Sequence, residues 1–231
     1  MNRLNLFAYN QKFYPNILIS LGVIFLLPFL GYLHLFDWDE INFAESSREM
    51  LTTGDYFHVQ INYMPFWEKP PLFMWLQCAS MKLFGVNEFA ARFPNVLFAL
   101  ITLLSLNSIG KKLVSAQFGL VWSLVYFISF LPHIYSKSGI IDPVFNYFIF
   151  MSIYFLIKVI NEKENKFALY SGLFAGLAIL TKGPVGLLLI LLTYLVYQIA
   201  TKFKQPGSIK HILLFIFSSV YTNILTISNY L

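Results

Sequence analysis

Apolar residues run in long blocks along this chain, and the polar positions gather between the blocks. Seven blocks approach the roughly 20 residues that a helix needs to cross a bilayer core about 30 Å thick. They cover residues 15–36, 93–110, 116–135, 140–158, 167–181, 184–200 and 211–229. Backbone groups left unsatisfied in lipid are costly, so the pattern predicts an all-α, polytopic transmembrane helix bundle of about seven membrane helices. It fills 1–231 as a single transmembrane domain with almost nothing over for a soluble one. An eighth apolar stretch, Pro71–Gly85, would rise only about 20 Å as a helix. Its length suits an interfacial helix instead.

Composition strengthens the membrane reading: 58% of residues are hydrophobic, 12% are charged, and the mean hydropathy is +0.65. A typical soluble domain has about a quarter of its residues charged. Because the apolar blocks recur to the end of the chain, a cleaved signal peptide does not account for them. The net charge of +5 is spread singly or in pairs between the blocks, which speaks for topology and against a nucleic-acid partner. Cys78 is the one cysteine, so no intramolecular disulfide can form, and its apolar surroundings give it a packing role.

Charge also orients the chain. If Pro71–Gly85 does not cross, Arg3, Lys12, Lys111, Lys112, Lys158, Lys163, Lys166, Lys202, Lys204 and Lys210 share the N-terminal side, ten of the sixteen basic residues. The positive-inside rule then places the N-terminus in the cytoplasm and residues 37–92 in an external loop with interfacial helices. Asp37, Asp39, Glu40, Glu45, Glu49, Asp55, Glu68, Glu88 and Asp142 all fall outside, leaving only Glu162 and Glu164 within. Lys202–His211, with Pro206 and Gly207, reads as a loop.

The first external stretch, Asp37–Phe57, reads as a helix on the membrane surface. Phe43, Ala44, Ser47, Met50 and Leu51 share one arc, while Asn42, Glu45, Arg48, Glu49 and Thr52 share the other. Asp39 stands at its start, either as an N-cap or as a reactive carboxylate. Glu45 and Arg48 have i,i+3 spacing, so a surface ion pair competes with a functional role. Glu49 is expected to face solvent. The string "WEKPP" then sets Glu68 and Lys69 before two prolines, which fix φ and restrict Lys69 to an extended backbone. A lysine presented that rigidly can meet a phosphate as a point charge, or it can snorkel from a proline-started helix. Asp142 precedes Pro143 at the outer end of a membrane helix, where an N-cap and a functional acid are both open. Lys182, in "TKGP", is a snorkelling or a functional cation, and Arg92 an interfacial anchor. His34, His58, His133 and His211 lack metal-ligand spacing, and no P-loop, G-x-G-x-x-G or G-x-S-x-G occurs.

Taken in order, "DEINFAESSREML", "FWEKPPLFMWLQCASMKLFG", "NEFAARFPNVLFAL", "IIDPVFNYF" and "GLAILTKGPVGLLL" resemble the N-terminal half of the GT-C glycosyltransferases. The likeness is to the lipid A aminoarabinose transferases and the dolichyl-phosphate-mannose protein mannosyltransferases. It implies a membrane enzyme of the bacterial inner (plasma) membrane, working on the periplasmic face. Such an enzyme transfers sugar from a polyprenyl-phosphate donor to a lipid, protein or glycan acceptor, without a nucleotide sugar at the site. By this resemblance Asp39 matches the catalytic aspartate, Asp142 a second important acidic position in a later external loop, and Glu68 with Lys69 the Glu-Lys pair whose lysine lies near the carrier phosphate, both taken as carrier-phosphate contacts. Arg48 and Lys182 join as candidate phosphate contacts, with Glu40 and Glu45 in support. Aminoarabinose transferases commonly carry Arg three residues after the matching aspartate, where this chain has Asn42. Family members are also about twice as long, so a shortened enzyme is expected. No cofactor is required by the residues; a divalent cation beside Glu68 is compatible with them but no local ligand set demands it.

Two other readings fit the composition: a truncated paralogue that binds carrier lipid or a partner without catalysis, and a transporter. Gathering the ionisable groups at one membrane face argues against transport, which places them near the midplane on broken helices. Topology is directly testable. Reporter fusions at Lys111 and Lys163 are expected to read cytoplasmic, and a periplasmic reading at both would carry Pro71–Gly85 across the bilayer.

Overall fold

The computed structural model describes residues 11–36, 38–203 and 208–227, with side chains to residue 224. Arg3, Asp37, Lys204 and the turn expected at Pro206–Gly207 lie outside the described residues. The described chain is all-α apart from one small hairpin. Its elements are α1 (Tyr14–Leu26), α2 (Trp38–Thr53), β1 (Gln60–Ile61), β2 (Met64–Pro65), α3 (Leu72–Phe84) and α4 (Glu88–Leu113). There follow α5 (Ala116–Ile128), α6 (Phe130–Ser136), α7 (Asp142–Glu162), α8 (Asn165–Lys182), α9 (Val185–Ala200) and α10 (Ile209–Ile227). Two compact units result, one from residues up to Ala44 with Leu76–Pro143, the other from Glu45–Trp75 with Val144 onward.

Among the described residues, α4 and α7 are long and apolar enough to cross a membrane, and the bent pair α5 and α6 can count as a third span. Two of the expected spans are interrupted. Residues 15–36 form a helix only to Leu26, because Pro28 has no N–H to donate and Phe29 takes φ 61°. Residues 116–135 break at Ser129, whose extended backbone turns α6 by 71° from α5. Pro132 in the first turn of α6 removes another N–H that could have continued α5. The eighth stretch is the 13-residue α3, too short to cross.

In the first unit α4 is the central rod. Asn87 caps it by accepting from the Ala90 N–H at 2.8 Å. Leu26 and Leu30 pack on Val96 and Ala99, with Phe89, Phe93 and Phe127 closing the cluster. A Cβ on Gly119 would lie 2.3 Å from the Asn107 carbonyl oxygen, so α4 and α5 touch backbone to backbone. Ser123 donates to the Leu103 carbonyl across the same contact, at 2.9 Å.

Arg92 organises the polar end of this unit, and the expectation of an interfacial anchor is corrected. It is only 3% exposed. Its Nε and Nη2 donate to the two oxygens of Glu40 at 2.8 and 3.0 Å. Nη1 donates to the carbonyls of Leu30 and Leu33, and Nη2 to that of His34. All five guanidinium N–H groups are thus used. Glu40, fully buried, also accepts from the N–H of Phe36 and of Gly139. Asn95 holds the same loop by donating to the carbonyls of Ser138 and Ile140.

The second unit packs α10 and α9 against α8. A Cβ on Gly172 would lie 2.3 Å from the Phe215 carbonyl oxygen, again a close helix crossing at a small residue. Ser152 and Ser171 exchange hydroxyl-to-carbonyl bonds of 2.9 and 2.8 Å, joining α7 to α8. Gly183 ends α8 with φ 80° and ψ −163°, a region essentially closed to other residues.

Helix α2 differs from the expected surface helix. Phe43, Ser46, Ser47 and Met50 are buried, and so are Asn42 and Glu49 from the arc assigned to solvent. The polar side chains are committed to tertiary bonds: Ser47 donates to the Met74 carbonyl at 3.3 Å, and Glu49 accepts the Tyr63 N–H at 2.9 Å.

Two stability effects follow. Arg92→Ala leaves a buried carboxylate and should cost about 3–5 kcal/mol in thermal or denaturant unfolding, and a loss under about 1 kcal/mol would contradict the closed pair. Gly183→Ala should cost about 1–3 kcal/mol from backbone strain alone, since an added Cβ meets nothing within 4 Å.

Candidate functional site

The second proline of "WEKPP" leads into a helix. Pro71 is buried and its carbonyl accepts the Trp75 N–H at 3.0 Å, opening α3, while Trp67 and Glu68 before it form a turn and Lys69 a bend. Upstream, the hairpin pairs Gln60 with Pro65 and Ile61 with Met64, and the Phe66 N–H donates to Val59 at 2.8 Å. Chain direction into Trp67, Glu68 and Lys69 is therefore fixed on both sides.

Within the second unit these residues form a wall of a cavity of about 410 Å³. Val59, Phe66, Trp67, Glu68, Lys69 and the two prolines come from the hairpin side. Ile179, Leu180, Lys182, Gly183 and Pro184 come from the end of α8 and the turn after it, and Asn223 from α10. Two motifs far apart in sequence thus bring Lys69 and Lys182 to one cavity. Neither Glu68 nor Lys69 makes an ion pair among the described residues. Lys182 lies over the Phe145 ring, its Nζ 5.5 Å from the ring centre, a contact that orients the side chain. Two ammonium groups beside an apolar wall suit an amphiphile with an anionic head. Glu68 and the Asn223 amide add polar groups able to accept hydrogen bonds.

The remaining candidates lie elsewhere. Arg48 does not line this cavity. It is bound bidentately by Glu45 at 2.7 and 2.8 Å, so the i,i+3 pair is what forms. The Glu45 hydrogen bond, then that of the Tyr63 hydroxyl, raise the pKa of Arg48. Arg48 in turn holds the Glu45 carboxyl below its ordinary range, against the opposing cost of burial. Both side chains are about one-third exposed, which keeps the pair's contribution to stability small. Glu40 is consumed by Arg92. Asp39 lies in the first turn of α2, half-buried and beside Glu40, while Asp142 is the first residue of α7 and half-buried. Each is attached to a segment that Glu40 fixes: Asp39 is its neighbour, and Asp142 follows the Gly139 loop. Among the described residues no three His, Cys, Asp or Glu side chains gather into a metal-ligand set.

Sequence reasoning passed over Asn223 and the aromatic pair Phe66 and Trp67 as cavity residues. Asn223 had a usable signal, an amide inside an otherwise apolar helix. Its Nδ2 donates to the Ser219 carbonyl at 2.7 Å.

Comparison with known proteins gives the chain relatives in sequence and in fold. The chain is 27% identical over 205 residues to the undecaprenyl phosphate-α-4-amino-4-deoxy-L-arabinose arabinosyl transferase of Wigglesworthia glossinidia brevipalpis, covering 87% of this chain and 36% of that protein. A Proteus mirabilis transferase of the same description is 31% identical over 181 residues, covering 72% of this chain and 32% of the relative. The chain thus spans about a third of the length of these curated relatives. The crystal structure of ArnT from Cupriavidus metallidurans bound to undecaprenyl phosphate superposes with a TM-score of 0.80 at 22% identity, over 92% of this chain and 41% of that one. The fold is therefore GT-C-like, and the protein is a multi-pass membrane protein. The family model for dolichyl-phosphate-mannose-protein mannosyltransferase matches residues 68–225, a stretch that holds Glu68, Lys69, Asp142, Lys182 and Asn223. With more than half of its length matched, the chain belongs to the dolichyl-phosphate-mannose-protein mannosyltransferase family.

Proposed function

We propose that the protein is a membrane glycosyltransferase, moving a sugar from a polyprenyl-phosphate carrier to a lipid, protein or glycan acceptor. The cavity that unites Lys69 and Lys182 carries this reading. A carrier phosphate has the charge to engage both ammonium groups, and the start of its chain has the polarity to lie against Trp67, Phe66 and Ile179. The arabinosyl transferase relatives and the undecaprenyl-phosphate complex of the fold relative support the same donor class.

In the proposed reaction an acceptor nucleophile attacks the anomeric carbon while a carboxylate removes its proton. The bond from that carbon to the carrier phosphate oxygen breaks, and the electron pair leaves on the phosphate. Lys69 and Lys182 stabilise the charge that grows there, an interaction stronger in the transition state than in the bound donor. Asp39 is assigned as the base or orienter of the acceptor and Asp142 as a second acid, by family resemblance. Direct displacement inverts the anomeric centre.

The proposed setting is a bacterial inner membrane with about seven helices, a cytoplasmic N-terminus and residues 37–92 outside. Bilayer lipids surround the apolar faces. Ile24, Phe25, Val196 and Phe217 are each more than half exposed, as lipid-facing side chains would be.

Transfer from undecaprenyl-phosphate sugar by the purified protein tests the assignment. Asp39→Asn should lower turnover by about 10²–10⁴-fold, as expected for loss of a general base. Lys69→Ala should lower it by about 10²–10³-fold. Full activity in both variants would overturn the proposal, and carrier binding without transfer in the unmodified chain would favour a non-catalytic carrier-binding paralogue.

A further inference from the structure

Glu49 is among the most deeply buried acids of the described residues, 1% exposed, and it is not part of the lysine cavity's lining. Its Oε2 accepts the Tyr63 N–H at 2.9 Å. Its Oε1 accepts no hydrogen bond and stands 4.0 Å from Arg48 Nη2. The energetic cost of burying a carboxylate in this way needs a return elsewhere in the molecule.

That return lies in the hairpin. Asn62 and Tyr63 form its two-residue tip, and both have positive φ, 55° and 58°. Asparagine tolerates this conformation, whereas for a bulky residue such as tyrosine it is strained and persists only where surrounding contacts enforce it. A hairpin of two paired residues per strand is also too short to be stable alone. Glu49 accepts a hydrogen bond from the strained residue, and Arg48 holds the phenol of the same tyrosine. The tip is thereby fixed to α2. At the other end of the hairpin, Val59 and Phe66 are cavity-wall residues, and the chain runs on directly through Trp67 and Glu68 to Lys69.

We infer that Glu49 is a positioning residue of the lysine cavity: by latching the Tyr63 tip of the hairpin to α2, it sets where Lys69 stands. The inference rests on the reading of that cavity as the carrier-phosphate site. Glu49 makes no contact with the carrier. Its effect passes through the backbone from Tyr63 to Lys69, so it requires hydrogen-bond acceptance at the correct reach more than negative charge. This separates it from a general structural acid. Glutamine retains the reach and the acceptor, while aspartate retains the charge but is one methylene short.

The test is equilibrium binding of undecaprenyl phosphate to the full chain in detergent, for Glu49→Gln, Glu49→Asp, Glu49→Ala, Lys69→Ala and the Glu49→Ala/Lys69→Ala pair. Binding should weaken about tenfold or more for Lys69→Ala, and about tenfold for Glu49→Ala, where tenfold is about 1.4 kcal/mol. Glu49→Gln should stay within about twofold of the unmodified protein, and Glu49→Asp should be weaker than Glu49→Gln. In the Lys69→Ala background the further loss from Glu49→Ala should disappear, because contacts acting as one unit are not additive. Where alanine at position 49 does not fold, the Gln-over-Asp order decides alone. Normal binding by Glu49→Ala alongside weakened Lys69→Ala overturns the latch. Fully additive losses, or aspartate matching or exceeding glutamine, overturn it as well. Normal binding by Lys69→Ala overturns the carrier-phosphate reading itself, and the latch inference with it.

Discussion

The Glu40–Arg92 pair is the constraint on which the polar end of the first unit depends. Both partners are almost completely removed from solvent, where an isolated charge would be very unfavourable. The pair persists because neither side chain has a group left over. Arg92 uses every N–H, and Glu40 receives four hydrogen bonds on its two oxygens. The partners beyond the pair itself are backbone groups of irregular segments, from Leu30 to Phe36 and at Gly139. Segments that lack a ladder of their own therefore acquire fixed positions from one guanidinium and one carboxylate. Asp39 and Asp142, the acids assigned to chemistry by family resemblance, are attached to the segments so fixed.

Arginine and lysine divide the work along chemical lines. Arg92 and Arg48 each engage a carboxylate through two N–H groups, which suits the planar fork of a guanidinium. Lysine ammonium groups line the cavity, where a compact charge on a flexible stem can follow a phosphate through a reaction. Arg48, held by Glu45, is not among the residues lining that cavity. Burial makes a similar distinction among the acids. Glu40 and Glu49 are committed to internal hydrogen bonds, whereas Glu68 is exposed at the cavity.

Much of the fold was legible because lipid imposes a strict rule on the backbone. Apolar blocks long enough to bury themselves become helices, and the boundaries of α7, α8, α9 and α10 fall within a few residues of the blocks that announced them. Hydropathy misjudged the places where a proline interrupts an apolar run, at Pro28 and Pro132, since composition averages over a missing N–H. Helix α2 misled in the opposite way. Its arcs looked amphipathic, yet Asn42 and Glu49 are buried because the partner covering a polar face cannot be read from the helix that carries it.

By itself the sequence determined the membrane class, the helical architecture and the start of a helix after the prolines of "WEKPP". These depend on local covalent facts: run length, charge spacing and the fixed φ of proline. Tertiary structure alone decided which charges are internal and which line a cavity. It closed Arg92 on Glu40, turned Glu49 toward the Tyr63 amide, and brought Lys182 and Asn223 to the cavity of Lys69. The physical reason is that the state of a charged side chain is set by the groups that replace water around it. In this protein those groups arrive from distant parts of the chain.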